Sequence, residues 1–299
     1  MKISNRNKNH GLRPRLSSKN LLVNPMKKIV FIILLVVMCL HFPGSAVHET
    51  VIIQNTSWKK YFNEAGVKGT FVLLNLKMGD YTIYNNKRSE KQFLPASTFK
   101  IMNTLIALEC KSISSIDEVF KWDGTKRSYE TWNKDLSVRD AFRVSAVWVY
   151  QEMARRTGRE KIEEWMVNCA YGNMKTGPEI DRFWLDGETA ISAQEQVLFL
   201  KSLYNEKLPF SKDVQQQVKE LMLADSAGDK RLYAKTGWAA RVEHQIGWYV
   251  GFVENGEDAW IFALNIDINK EEDTSYRIEI TRNILDEEGI FPKRETGKK

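Results

Sequence analysis

The patterned part of the chain opens with two strand-like stretches, 69–76 and 81–84, separated by a Gly79-Asp80 turn signal, and together they predict a β-hairpin. From 97 to 109 the period changes. Phe99, Met102 and Ile106 stand in a run that is apolar nearly all round, the pattern of a helix buried in the middle of a domain. Helices are predicted next over 138–157, stopped by Gly158, then over 159–167 and 192–203, with Gly and Pro marking the connections. Strand character returns at 231–239, 246–254 and 259–268, the last two joined by an Asn255-Gly256 turn. A final helix is predicted over 274–288, stopped by Gly289. Strands at both ends with helices between them predict an α+β fold: an antiparallel β-sheet flanked by helices, with an inserted all-helical subdomain at about 116–190.

Composition alters this picture mainly at the N-terminus. The chain has 299 residues, 43% of them hydrophobic, enough to bury a substantial core. Met26-Lys27-Lys28, the apolar run 29–40 and Pro43-Gly44-Ser45-Ala46 read as a secretory signal cleaved near Ala46, which predicts an exported, periplasmic protein with one domain over 47–299. A run of twelve is short for a membrane span, which needs about 20 residues, so no stable membrane anchor is expected. Cys39 is preceded by Met38, where a lipoprotein signal wants a small residue. Residues 1–25 are polar, basic and unpatterned, and the reading places the translation start at Met26.

The formal charge of +6 belongs to this leader: residues 1–46 hold eight Lys/Arg and no Asp/Glu, leaving 36 basic against 38 acidic residues in 47–299. A basic surface for nucleic acid thereby loses its support. Two cysteines, Cys110 and Cys169, follow the leader, and an oxidising compartment would permit a bridge between them. Cys110 closes an apolar helical run and reads rather as a buried free thiol.

After cleavage only His48 and His244 remain, too few for a Ser-His-Asp triad or a histidine-rich zinc site, so no metal is expected and a serine nucleophile needs another base. Ser97-Thr98-Phe99-Lys100 supplies one. Residues three apart share a helix face, and a lysine among Phe99, Ile101 and Met102 is desolvated, which favours its neutral amine. Against this stands the plainer reading of Ser97 as a helix cap beside a snorkelling lysine. Ser57-Trp58-Lys59-Lys60 repeats the spacing in a short polar stretch and is taken as chance. Ser145-Ala146-Val147 lies mid-helix in the predicted pattern, where a serine usually bonds back to the preceding turn. Lys235-Thr236-Gly237 sits on a strand-like run and offers a cation, a hydroxyl and an uncluttered backbone; Lys175-Thr176-Gly177 has the same letters in a loop ahead of Pro178.

Ser-x-x-Lys, Ser-x-Val and Lys-Thr-Gly in this order resemble the serine β-lactamase and penicillin-binding-protein superfamily, with its transpeptidase-like fold. Tyr171-Gly172-Asn173, Phe183-Trp184-Leu185-Asp186-Gly187 and the run 247–253 narrow the resemblance to class D, the oxacillinase type, over about 69–290. The resemblance implies hydrolysis of β-lactam antibiotics through a serine acyl-enzyme, and hence resistance. Ser97 is then the nucleophile, and Lys100, as N6-carboxylysine formed with carbon dioxide or bicarbonate, the base. Ser145 relays a proton to the lactam nitrogen, Val147 keeps the lysine pocket dry, and Trp184 donates its indole N–H to the carbamate. The backbone N–H groups of Ser97 and Trp238 form the oxyanion hole, while Lys235, Thr236, Gly237 and Arg277 hold the substrate. Arg277 could instead pair with Glu279 or Glu272. Trp148, just after Ser-x-Val, could narrow the pocket, and the loop 239–245 has no legible feature. Small-molecule β-lactams are the implied partners, with a homodimer allowed. The rivals are a transpeptidase with the same Ser-Lys chemistry, a β-lactam sensor that stays acylated, and an exported binding protein with a degenerate site.

Overall fold

The computed structural model describes residues 51–293, part of one compact unit, Glu49–Lys299. The leader, the cleavage near Ala46 and the start at Met26 lie outside the described residues. In chain order the strands are β1 (Ile52–Gln54), β2 (Gly69–Asn75), β3 (Tyr81–Tyr84), β4 (Val119–Phe120), β5 (Leu136–Ser137), β6 (Leu223–Ala227), β7 (Lys230–Ala239), β8 (Ile246–Asn255) and β9 (Asp258–Asp267). The helices are α1 (Lys59–Ala65), α2 (Asn86–Ser89), α3 (Lys100–Glu109), α4 (Val138–Arg143), α5 (Val147–Thr157), α6 (Arg159–Asn168), α7 (Ala193–Tyr204), α8 (Lys212–Leu221) and α9 (Tyr276–Glu287).

The main sheet runs in the order β1-β3-β2-β9-β8-β7-β6. The predicted hairpin is present, with Phe71 opposite Tyr84 and Leu74 opposite Tyr81. All neighbours are antiparallel except β1 and β3, which are parallel, so the sheet is mixed where a purely antiparallel one was expected. Its central strands are buried on both faces, which is why their sequences read as near-continuous apolar runs. Val72, Leu74, Val250, Ile261 and Ala263 join the larger core with the buried sides of α3, α5 and α7. Their alternates Phe71, Leu73, Phe262 and Leu264 pack with Trp58 and Phe62 beside α1 and with Ile280 and Ile284 of α9. Period-two alternation thus divides the residues between two helical layers.

Two further findings bear on the site. The helix expected over 138–157 is broken: α4 ends at Arg143, α5 begins at Val147, and Ser145 between them has φ 57°. Ser145 N–H donates to Phe142 O and Ala146 N–H to Ala141 O, the two bonds of a Schellman end, with a serine where glycine is usual. The mid-helix placement of Ser145 is therefore corrected. Cys110 and Cys169 are half-buried free thiols, so the permitted bridge is not made.

Candidate active site

Ser97 lies on a 3-10 turn, Ala96–Phe99, that leads straight into α3. The turn is forced rather than relaxed. Ala96 holds φ 48°, and Thr98 is clamped by its own hydroxyl on Pro95 O at 2.8 Å and by Gln196 Nε2 on that hydroxyl at 2.9 Å. Beneath the turn, Phe99 meets the rings of Tyr171, Phe183 and Trp184. Lys100, the first residue of α3, is fully buried, and its Nζ donates to Ser97 Oγ at 3.0 Å while lying 4.9 Å from the Tyr150 ring centre. Burial, followed by the charges of Lys235 and Arg241, holds its pKa well below the ordinary lysine value. The capping alternative for Ser97 is not realised: its oxygen serves the lysine.

From the broken helix, Ser145 Oγ accepts from Lys235 Nζ at 3.1 Å. Lys235 is buried on β7, also donates to Thr236 O at 3.0 Å, and has its pKa lowered to about 7, first by burial and then by Arg277. The pairing of β6 with β7 stops at Tyr233, so the outer edge of β7 from Lys235 onward is free to border the site. Gly237 permits that approach, since a Cβ there would stand 3.0 Å from Pro95 O and 3.1 Å from Thr98 Cγ2. Arg277, near the start of α9, reaches across to donate to Gly237 O at 2.8 Å and Thr274 O at 2.6 Å, not to the acidic neighbours considered from sequence. Burial pushes its pKa down to about 10. Gly247 makes room for it, because a Cβ there would fall 3.0 Å from Arg277 Cδ.

These groups converge on an open cavity of about 560 Å³, walled by Ser97, Ser145, Val147, Thr236, Trp238 and Arg277 among others. Lys100, Lys235 and Trp184 are buried behind the wall. Trp184 stacks on Phe99 at 5.5 Å, and its indole N–H is buried without a hydrogen-bond partner. Such an orphan donor calls for an acceptor. Among the described residues no cluster of three or more His, Cys, Asp or Glu could hold a metal ion.

The look-alike motifs have ordinary structural roles. Ser57 Oγ donates to Asn55 Oδ1 at 2.7 Å and Lys60 pairs with Glu287, while Thr176 Oγ1 donates to Glu163 Oε1 at 2.6 Å. Trp148 does line the cavity, as its position after Ser-x-Val suggested. Tyr129, Trp132, Gln151 and Arg241 line it too and were missed, since each comes from a loop or helix without a motif. The loop after β7 acquires a feature: Trp238 Nε1 donates to Gln245 Oε1 at 2.8 Å.

A strained serine turn, a buried lysine of lowered pKa and a free strand edge accompany a match of residues 69–286 to the family model for the penicillin-binding protein transpeptidase domain, which places the chain in that class. β-Lactamase OXA-48 of Klebsiella pneumoniae is 42% identical over 80% of this chain and 90% of its own length. OXA-10 of Pseudomonas aeruginosa is 40% identical over 80% and 91%. Among solved structures, a class D β-lactamase from Nostoc superposes with a TM-score of 0.77 at 40% identity, covering 79% of this chain and all of the other. FUS-1 (OXA-85) of Fusobacterium nucleatum gives the same score at 39% identity, over 79% and 99%. The chain belongs to the class D β-lactamase family.

Proposed function

We propose that this protein hydrolyses β-lactam antibiotics through an acyl-enzyme on Ser97, and that it thereby confers resistance. The observation that carries the reading is the 3.0 Å contact between Ser97 Oγ and the nitrogen of a fully buried lysine whose pKa burial holds well below the ordinary value. Lys235 and Arg277 receive the substrate carboxylate, aided by the Thr236 hydroxyl. Ser97 Oγ attacks the lactam carbonyl carbon, its proton leaves toward Lys100, and the oxyanion is held by the backbone N–H groups of Ser97 and Trp238. As the C–N bond breaks, Ser145 passes a proton to the ring nitrogen and is resupplied by Lys235, whose pKa of about 7 suits the exchange. Water then attacks the ester carbonyl and frees Ser97.

The base is proposed to be Lys100 as its carbamate. A neutral buried amine accepts carbon dioxide, and the unpartnered indole N–H of Trp184 is a donor ready for a buried anion. Bound there, the carboxylate would supply the basic oxygen for acylation and for activating the hydrolytic water. Val147, on the cavity wall, keeps water from the lysine. Export is proposed on the sequence of residues 26–46, with β-lactams as the partners and a homodimer allowed.

Two measurements test this. Purified protein should turn over many equivalents of nitrocefin and Ser97→Ala none; a single covalent event without turnover would favour a transpeptidase or sensor. Enzyme stripped by mild acid and degassed should recover at neutral pH only with bicarbonate, and Trp184→Ala should need more of it. Full activity without bicarbonate would establish a simple amine base.

A further inference from the structure

Outside the reacting groups, two indole hydrogen bonds tie the break between α4 and α5 to the loop at 121–133. Trp132 Nε1 donates to Val144 O at 3.0 Å, and Trp148 Nε1 donates to Trp132 O at 3.0 Å. The Trp148 ring lies 5.1 Å from the Arg127 guanidinium carbon, within reach of a cation–π contact. Arg127 is anchored in turn: its guanidinium pairs with Asp123 at 2.8 Å, its N–H donates to Asn133 Oδ1 at 2.8 Å, and its carbonyl accepts from Asn133 Nδ2 at 3.0 Å.

The chain of contacts ends at an informative atom. Val144 is the C-cap that follows α4, where carbonyls lack intrahelical partners, and its carbonyl belongs to the same peptide plane as the Ser145 N–H. Holding Val144 O therefore orients the backbone into Ser145, whose left-handed φ persists only where the surroundings over-determine it. On that backbone depends whether Ser145 Oγ meets Lys235 Nζ.

We propose that Trp132 and Trp148 are positioning residues for the reaction. The relay from Arg127 through Trp148 and Trp132 to Val144 O fixes the peptide ahead of Ser145 and so aims its hydroxyl. The indole rings also wall the cavity, but the relay assigns their N–H groups to the enzyme's own backbone rather than to substrate. This inference rests on the hydrolytic reading above.

The test is a set of Trp→Phe variants, which keep an aromatic wall and delete only the donors. With nitrocefin, Trp132→Phe should lower kcat about tenfold, the effect of leaving one part-buried acceptor unpaired, with KM held within about twofold. Trp148→Phe should lower kcat less, and the double variant should fall no further than Trp132→Phe alone, because the outer link acts through the inner one. Unchanged kcat with a raised KM, or losses that multiply in the double variant, would overturn the relay. Should Trp132→Phe fail to fold, Trp148→Phe decides by the same split between kcat and KM. The rate of acylation by a fluorescent penicillin should follow the same order without needing turnover. Wild-type protein that is acylated but not hydrolytic would then sink the hydrolytic reading alone.

Discussion

Lys235 shows how burial sets a working charge. Its pKa falls from the ordinary 10.5 to about 7, so across that interval the folded protein holds the neutral amine while the unfolded chain is still protonated. The unfolded state binds more protons there, and this residue's share of stability rises with pH from about 7 to 10.5. Activity is expected to move the other way, because the proposed carboxylate clamp needs the cation. The ratio kcat/KM, which reports the free enzyme, should therefore decline above a pH of about 7. Lys235→Arg should displace that decline to higher pH, since a guanidinium keeps its charge. A profile flat to pH 9, measured with nitrocefin, would remove Lys235 from the clamp. Ser97, Lys100, Ser145 and Lys235 were legible in the sequence as candidates from residue type at fixed spacing, and the structure pairs Lys100 with Ser97 and Lys235 with Ser145. Arg127 and Trp132 were not, because their roles arise from contacts that no short motif encodes.

Among the elements, the central strands and α3 were readable from hydrophobic pattern alone, and α7 was expected over 192–203, where the structure adds a capping box of Ser192 and Glu195. The failures have physical causes. β1 and β6 are edge strands with mostly exposed side chains, so they carry little alternation to detect. The break between α4 and α5 was invisible because Val-Ser-Ala-Val contains neither Gly nor Pro; tertiary contacts, not local preference, impose it. That conflict leaves a measurable trace. Left-handed φ costs a residue bearing a Cβ roughly 1 kcal/mol relative to glycine. Ser145→Gly should therefore unfold at higher denaturant than Ser145→Ala by about that amount, while both lose turnover with the hydroxyl. Equal midpoints would mean that the backbone there is unstrained. A similar tension at Ala96, φ 48°, places backbone cost beside both cavity-lining serines, Ser97 and Ser145.

At the scale of the molecule, the split of charge between leader and domain has an observable result. Protein recovered from the periplasm should begin near Val47 by intact mass, carry a net charge near −2 in place of +6, and bind an anion exchanger at neutral pH. A mature chain starting at Met26 would contradict the cleavage. The sheet order has a different consequence. β2 comes early in the chain, yet its long neighbour is β9, with Gly69 opposite Ile266 and Asn75 opposite Trp260. About 180 residues separate the two, which at roughly 5–20 residues per second means some ten to forty seconds of synthesis during which the first long strand has only the short β3 as a mate and its other edge stays unpaired. The nascent chain thus cannot close its sheet until translation is nearly finished. A polypeptide held open for so long stays threadable, the state that the proposed export requires, and the lateness of β9 sets how long that state lasts.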